Sequence, residues 1–155
     1  MKDTFKFIGI LNREIIRNGK VIKRATVKNL TPNVGLAEFI NLIGNVSSPT
    51  AFSYLAVGTG TTAAAAADTA LETEITDSGL ARAAATVTRT TTTTTNDTLQ
   101  FYKSFSVTGT KAITEAGFFN AASGGTLGGR TVYTADNVIS GDTYNLTYKL
   151  IATRA

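Results

Sequence analysis

The sequence predicts a mainly β protein, a β-sandwich or jelly-roll-like barrel carrying an N-terminal β-hairpin arm and one short amphipathic helix. Three observations carry that expectation. The 155 residues include 28 Thr and 14 Gly but only 2 Pro, a composition suited to β-branched strands joined by tight turns. Short runs of Val, Ile, Leu, Phe and Thr recur between Gly, Asn, Asp and Ser clusters, as strands and turns do. One segment alone has the helical period.

The elements follow in order. Phe5 to Arg17 and Lys20 to Leu30 flank Asn18-Gly19, the strongest two-residue hairpin signal because both positions tolerate positive φ. Thr31-Pro32 reads as an N-cap followed by proline at the first helical position. Leu36, Phe39, Ile40 and Ile43 then fall at i, i+3, i+4 and i+7, a single helical stripe ended by Gly44-Asn45. Phe52 to Val57 is a short strand, and the alanine run Ala63 to Ala67 is too short for a solvated helix, so it reads as loop or one turn. Leu80 to Thr95 and Thr98 to Val107 read as a long hairpin about Asn96-Asp97, with Thr88 facing Phe105 and Thr92 facing Phe101. The polythreonine run Thr90 to Thr95 belongs to this extended strand, at an exposed edge or a subunit contact. Ile113 to Phe119 and Leu127 to Tyr133 form a further hairpin, and Tyr144 to Thr153 closes the chain with strict alternation. The expected organisation is a basic hairpin arm at 1–30, helix and linker at 31–49, and a sandwich at 50–155.

Charge sorts the possible functions. Charged residues make up only 17% of the chain, below the usual quarter or so. The net +4 is uneven, with +6 in the first 28 residues and −2 in the rest. Cysteine and histidine are both absent, which removes disulfides, thiolate chemistry, the commonest general base and the commonest metal ligands. The chain is therefore expected to be non-enzymatic, with no cofactor and no metal. No apolar run approaches the ~18 residues of a membrane span, and the N-terminus lacks a signal-peptide core, so no membrane partner is expected and assembly is placed in the cytoplasm.

Several residues stand out as candidates. Arg13, Arg17, Lys20, Lys23 and Arg24 give the arm its charge and are expected to anchor it on an acidic protein surface. Nucleic acid is a poorer match, since the arm offers few aromatics for stacking. An arm of this kind is expected to be removable without unfolding the sandwich. Glu115 lies among apolar residues and needs a partner if buried; Arg130, at almost the mirror position across Gly124-Gly125, is the first choice and Arg82 the competitor. Gly58-Thr59-Gly60 follows a strand but completes no phosphate-binding motif, so it reads as a turn. Glu72, Glu74 and Asp77 could ligate calcium, but lack the glycine-punctuated spacing of a calcium loop and read as a solvated connection.

Four stretches carry a resemblance. Phe52 to Thr61 with Asp68 to Glu74, and Ile113 to Asn120 with Ser123 to Leu127 and Arg130, resemble a pattern in small virion proteins of tailed bacteriophages. Gly141-Asp142-Thr143-Tyr144 with its alternating strand is similar, as is Gly35-Leu36-Ala37 after the Asn-Leu-Thr segment. The resemblance implies a head-decorating, neck or tail-associated structural protein, located in the virion and bound to the major capsid protein or to neck and tail proteins. The leading expectation is a capsid decoration or cement protein that self-associates, with a trimer as the favoured state. The alternatives are a neck, tail or fibre-associated protein, or a receptor- or carbohydrate-binding tip using Tyr54, Tyr102, Tyr133, Tyr144 or Tyr148 as stacking platforms. Exposed, clustered tyrosines would favour the tip; tyrosines dispersed through the core would exclude it.

Overall fold

The structure, a computed structural model, describes residues 4–154. Strand β1 (Phe5–Arg17) turns through Asn18-Gly19, with φ of 50° and 72°, into β2 (Lys20–Lys28). Helix α1 (Asn33–Gly44) follows, then β3 (Tyr54–Gly58), β4 (Ala83–Ala84), β5 (Thr86–Thr90) and β6 (Thr98–Ser106). The chain ends in β7 (Lys111–Phe119), β8 (Leu127–Val138) and β9 (Thr143–Arg154). The strands form two antiparallel sheets, β2-β1-β9-β6-β5 and β4-β3-β7-β8. The fold is a β-sandwich with one short helix, as the threonine-rich, period-two sequence leads one to expect.

The core lies between the sheets. Tyr144, Leu146, Tyr148 and Leu150 of β9 point inward beside Leu11 and Ile15 of β1 and Phe101 and Phe105 of β6. They meet Leu55 and Val57 of β3 and Ile113, Ala116 and Phe118 of β7. Phe118 is the hub, stacked on Phe101 at 5.0 Å and edge-on to Phe52 and Tyr148 at 5.2 and 4.8 Å. Such pairs add directional preference to plain burial.

β7 is buried on both faces because the sandwich has a partial third layer. A register shift between Ile113 and Glu115 resets the alternation, as a β-bulge does. Ala116 and Phe118 therefore continue the inner face, while Glu115, Gly117 and Phe119 face outward beneath the long connection from Thr59 to Arg82. Leu71 of that connection closes a second small core with Ala56, Phe119 and Leu127.

The structure corrects four readings. The N-terminal hairpin is not an appended arm: β1 pairs with β9 from Phe5↔Arg154 to Ile16↔Thr143 and supplies core residues. It is thus integral to the sandwich at 50–155, and its removal would open the larger sheet. The Leu80–Thr95 strand is instead two short ones, with Ala83–Ala84 in one sheet and Thr86–Thr90 in the other. The observed facing pairs are Thr88↔Gln100 and Val87↔Phe101. The polythreonine run beyond Thr90 is a tight loop, because the Asp97 carboxylate accepts the backbone N–H groups of Thr92, Thr93 and Thr94 at 2.7–2.8 Å. Those bonds hold the Asp97 carboxyl well below the usual range, the Thr94 amide first. Finally, Pro32, not Thr31, is the N-cap, and it offers no side-chain acceptor to the helix.

If β1 is a structural strand, truncating its core side chain is expensive. Leu11→Ala is expected to lower unfolding free energy by about 2–5 kcal/mol, whereas Ile22→Ser on exposed β2 should stay within about 0.5 kcal/mol. Chemical denaturation checks both, and equal small effects would mean the hairpin is peripheral.

Candidate functional site

Two buried ionic nodes and one exposed apolar face are the features a function can be built from. The first node is Glu115, wholly buried. Its carboxylate accepts the backbone N–H of Gly60 at 3.1 Å, of Glu72 at 3.1 Å and of Thr73 at 2.7 Å, and Arg130 Nε donates to it at 2.9 Å. Gly58 and Gly60 make this possible, since a Cβ on either would collide with Glu115 Oε1. The glycine pair that resembled a fragment of a phosphate loop therefore cradles the protein's own carboxylate.

Glu115 and Arg130 are brought together two residues out of register. Glu115 faces Val132 and Arg130 faces Gly117, so the near-mirror position expected across Gly124-Gly125 is a diagonal on the same face. An offset of one would have placed them on opposite faces. Arg130 continues outward to Asp68 at 2.8 Å and to the Thr62 carbonyl at 3.1 Å. Burial works against its charge, but Asp68 and Glu115 outweigh that and raise its pKa. Arg82, the competing partner, instead forms a fork with Glu74 at 2.5–2.9 Å and lies 3.5 Å above the Phe119 ring.

The second node gathers residues that were expected to anchor a partner. Arg13 lies on the inward face of β1 with Leu11 and Ile15, donates to Asp136 and stacks 3.6 Å over Tyr133. Lys23 Nζ is 2.6 Å from the same carboxylate. Tyr144 donates to Asp136 at 2.8 Å, and its hydroxyl meets that of Tyr133 at 3.2 Å. Burial raises the pKa of both phenols, so both stay neutral. Arg17 forks onto Asp142 at 2.7–2.8 Å, and Arg24 pairs with Glu14 at 2.6 Å. Arg13, Arg17, Lys23 and Arg24 are thus committed within the fold. Lys20 is exposed and, among the described residues, makes no salt bridge. Arg24 meets Glu14 across its own hairpin, but Arg13, Arg17 and Lys23 are matched by Asp136 and Asp142 near the other end of the chain, which no local pattern reveals.

The three carboxylates considered for calcium are separated by their partners: Glu72 bonds Thr62, Glu74 bonds Arg82 and Asp77 bonds Lys111. Among the described residues no group of three acidic side chains could hold a metal ion, and no helix is long and apolar enough to cross a membrane.

The exposed face belongs to α1, whose single apolar stripe is visible in the sequence without showing which part of it is buried. Of that stripe only Phe39 is buried; Leu36 is 50% exposed, Ile40 70% and Ile43 71%. Val46 and Phe5 extend the surface. The helix is set by Gly35, which lies against the carbonyls of Leu127 and Gly128 where any Cβ would clash. That close approach fixes which side of α1 meets β8 and turns the larger part of the stripe outward. Exposed apolar surface of this kind makes α1 a candidate interaction surface.

Two measurements test the ionic nodes. Glu115→Gln and Arg130→Met should each cost about 3–5 kcal/mol, and the double variant should cost less than their sum by about 0.5–3 kcal/mol; strict additivity would mean the pair does not interact. Arg17 chiefly holds the Asp142 carboxyl below its usual range. A carboxyl depressed in the folded state contributes stability above its unfolded value of about 3.9 and loses it as pH falls through the folded value. The melting temperature of Asp142→Asn should therefore fall less steeply than wild type below about pH 5. Parallel slopes would show that Asp142 is not linked to folding.

No protein-family model matches the chain, and no curated protein or solved structure is significantly similar to it.

Proposed function

We propose that the chain is a non-enzymatic structural protein of a bacteriophage particle, with capsid decoration ahead of a neck or tail role. The observation that carries the reading is the apolar face of α1, where Leu36, Ile40 and Ile43 stand in solvent beside Phe5. Leaving that much aliphatic surface wet is unfavourable by roughly 25 cal/mol per Å², and a protein that works alone has no reason to keep it. Around it the sandwich is cross-linked by buried ion pairs, which suits a rigid building block. The resemblance of residues 29–153 to small virion proteins points the same way.

Self-association, as a trimer, belongs to the same proposal. The β5 edge carries one charge, Arg89, among threonines and Val87, whereas the β2 edge is guarded by Lys20, Lys23, Arg24 and Lys28. Lysine-rich edges resist strand addition and threonine-rich ones permit it. The tip alternative loses its support, because Tyr144 and Tyr148 are wholly buried and Tyr102 is the one tyrosine among the exposed large side chains.

Quantitative mass spectrometry of purified particles tests the reading. A decoration role predicts a copy number that is a fixed fraction of the major capsid protein; a neck or tail role predicts one that follows the neck or tail proteins instead. Absence from particles that infect normally overturns it.

A further inference from the structure

Between α1 and the first residues of β1 runs an open groove of about 800 Å³. We propose that it receives an amphipathic helix of a different protein, with acidic residues flanking an apolar stripe. The inference rests on the structural-protein reading and specifies the partner that the exposed face takes.

The groove's shape suits a helix. One wall is α1, whose 12 residues span about 18 Å at 1.5 Å per residue, room for three turns of a neighbour. The other wall is the run Phe5–Gly9. The floor is aromatic and tied into the core: Phe5 contacts Phe7 at 4.8 Å, Phe7 contacts Phe39 at 5.3 Å, and Phe39 contacts Phe52 at 5.2 Å. A floor braced this way is already ordered before binding, which lowers the entropy cost of association. Aliphatic side chains spaced i, i+3, i+4 and i+7 on the incoming helix would cover Ile40, Ile43 and Leu36 in the helix-in-groove manner.

Charge selects the partner. The charged residues lining the groove are Lys6 and Lys28, both cationic and both exposed. Lys28 lies opposite Ile10 of β1, four positions from Lys6, so the two are about 13 Å apart along the strand. Acidic residues about two turns apart on the incoming helix, roughly 11 Å, match that spacing. A second copy of this chain fits poorly. It would set Lys6 and Lys28 against their own counterparts, and the one acidic residue on α1, Glu38, already accepts from Asn41 and Asn120. Like charges across an interface oppose association.

The test uses the full chain and a labelled 18-residue peptide with Leu at i, i+3, i+4 and i+7 and Glu flanking that stripe, read by fluorescence anisotropy. A Lys-flanked counterpart and phosphatidylglycerol vesicles are the comparison probes. The Glu peptide should bind, and its affinity should fall at least tenfold with Ile40→Ser/Ile43→Ser, with Lys6→Glu/Lys28→Glu, and between low and 0.5 M salt. All four positions are exposed, and unchanged melting temperatures will show that the variants fold. Equal affinity for the Lys peptide overturns the proposal. So does binding to vesicles but not to peptide, or a dimer in sedimentation that Ile40→Ser/Ile43→Ser abolishes. Particle incorporation separates this inference from the reading beneath it. Normal incorporation of Ile40→Ser/Ile43→Ser sinks the groove alone; a wild-type chain that binds peptide yet is missing from particles sinks the virion role alone.

Discussion

The carboxylate of Glu115 organises one whole side of this protein. It is fully buried and accepts three backbone amides and a guanidinium. The three amides belong to the connection between Thr59 and Arg82, far longer than the ~12–15 residues beyond which structureless loops are rare. Without a central acceptor the buried Gly60 N–H would be left unpaired, at a cost of about 1–3 kcal/mol, and the part-buried amides of Glu72 and Thr73 would lose their partner. With it, the connection lies flat on β7 and becomes a partial third layer over the smaller sheet. Arg130 then joins that layer to Asp68 and to the strand below. The carboxylate has its acceptor capacity filled by the fold itself, an arrangement that suits a clamp.

A second constraint follows the same logic between the two sheets. Arg13 is buried on the core face of β1, and Asp136 and the Tyr133 ring receive it. Breaking such a pair is costlier than never having built it, because one charge is left stranded in a low-dielectric interior. The basic residues that make the N-terminal hairpin conspicuous in the sequence are therefore cross-links between β1, β2, β8 and the turn at Asp142. Arg13, Arg17, Lys23 and Arg24 thus stiffen the fold from within. The outward side of α1 is left in solvent and is mostly apolar, with Lys6 and Lys28 lining the groove beside it.

Much of the architecture was legible in the chain. Alternation at Tyr144, Leu146, Tyr148 and Leu150 has one physical solution, a strand with one buried face. Asn18-Gly19 has positive φ at both positions because few other dipeptides adopt that turn without strain. The i, i+3, i+4, i+7 pattern located α1, and the apolar setting of Glu115 demanded a cation. These are local facts, decided by backbone sterics and by the cost of burying a charge, and they hold wherever the segment ends up.

Tertiary structure decided everything that depended on a distant partner. The helix pattern said that one face was apolar but not which way it would turn; the contact of Gly35 with the β8 backbone set that. Six threonines in a row have strand propensity, yet Asp97 gathers three of their amides and outcompetes a ladder that had no neighbour to offer. The hairpin read as a separate arm because its own turn was complete, whereas its first strand, β1, found a second partner in β9, at the far end of the chain. A register shift between Phe118 and Phe119, beside the turn, moved Glu115 and Arg130 onto a shared diagonal. Sequence determines what each segment requires, because propensity and burial cost are local. Which partner meets the requirement depends on contacts far apart in the chain, and only the folded arrangement supplies them.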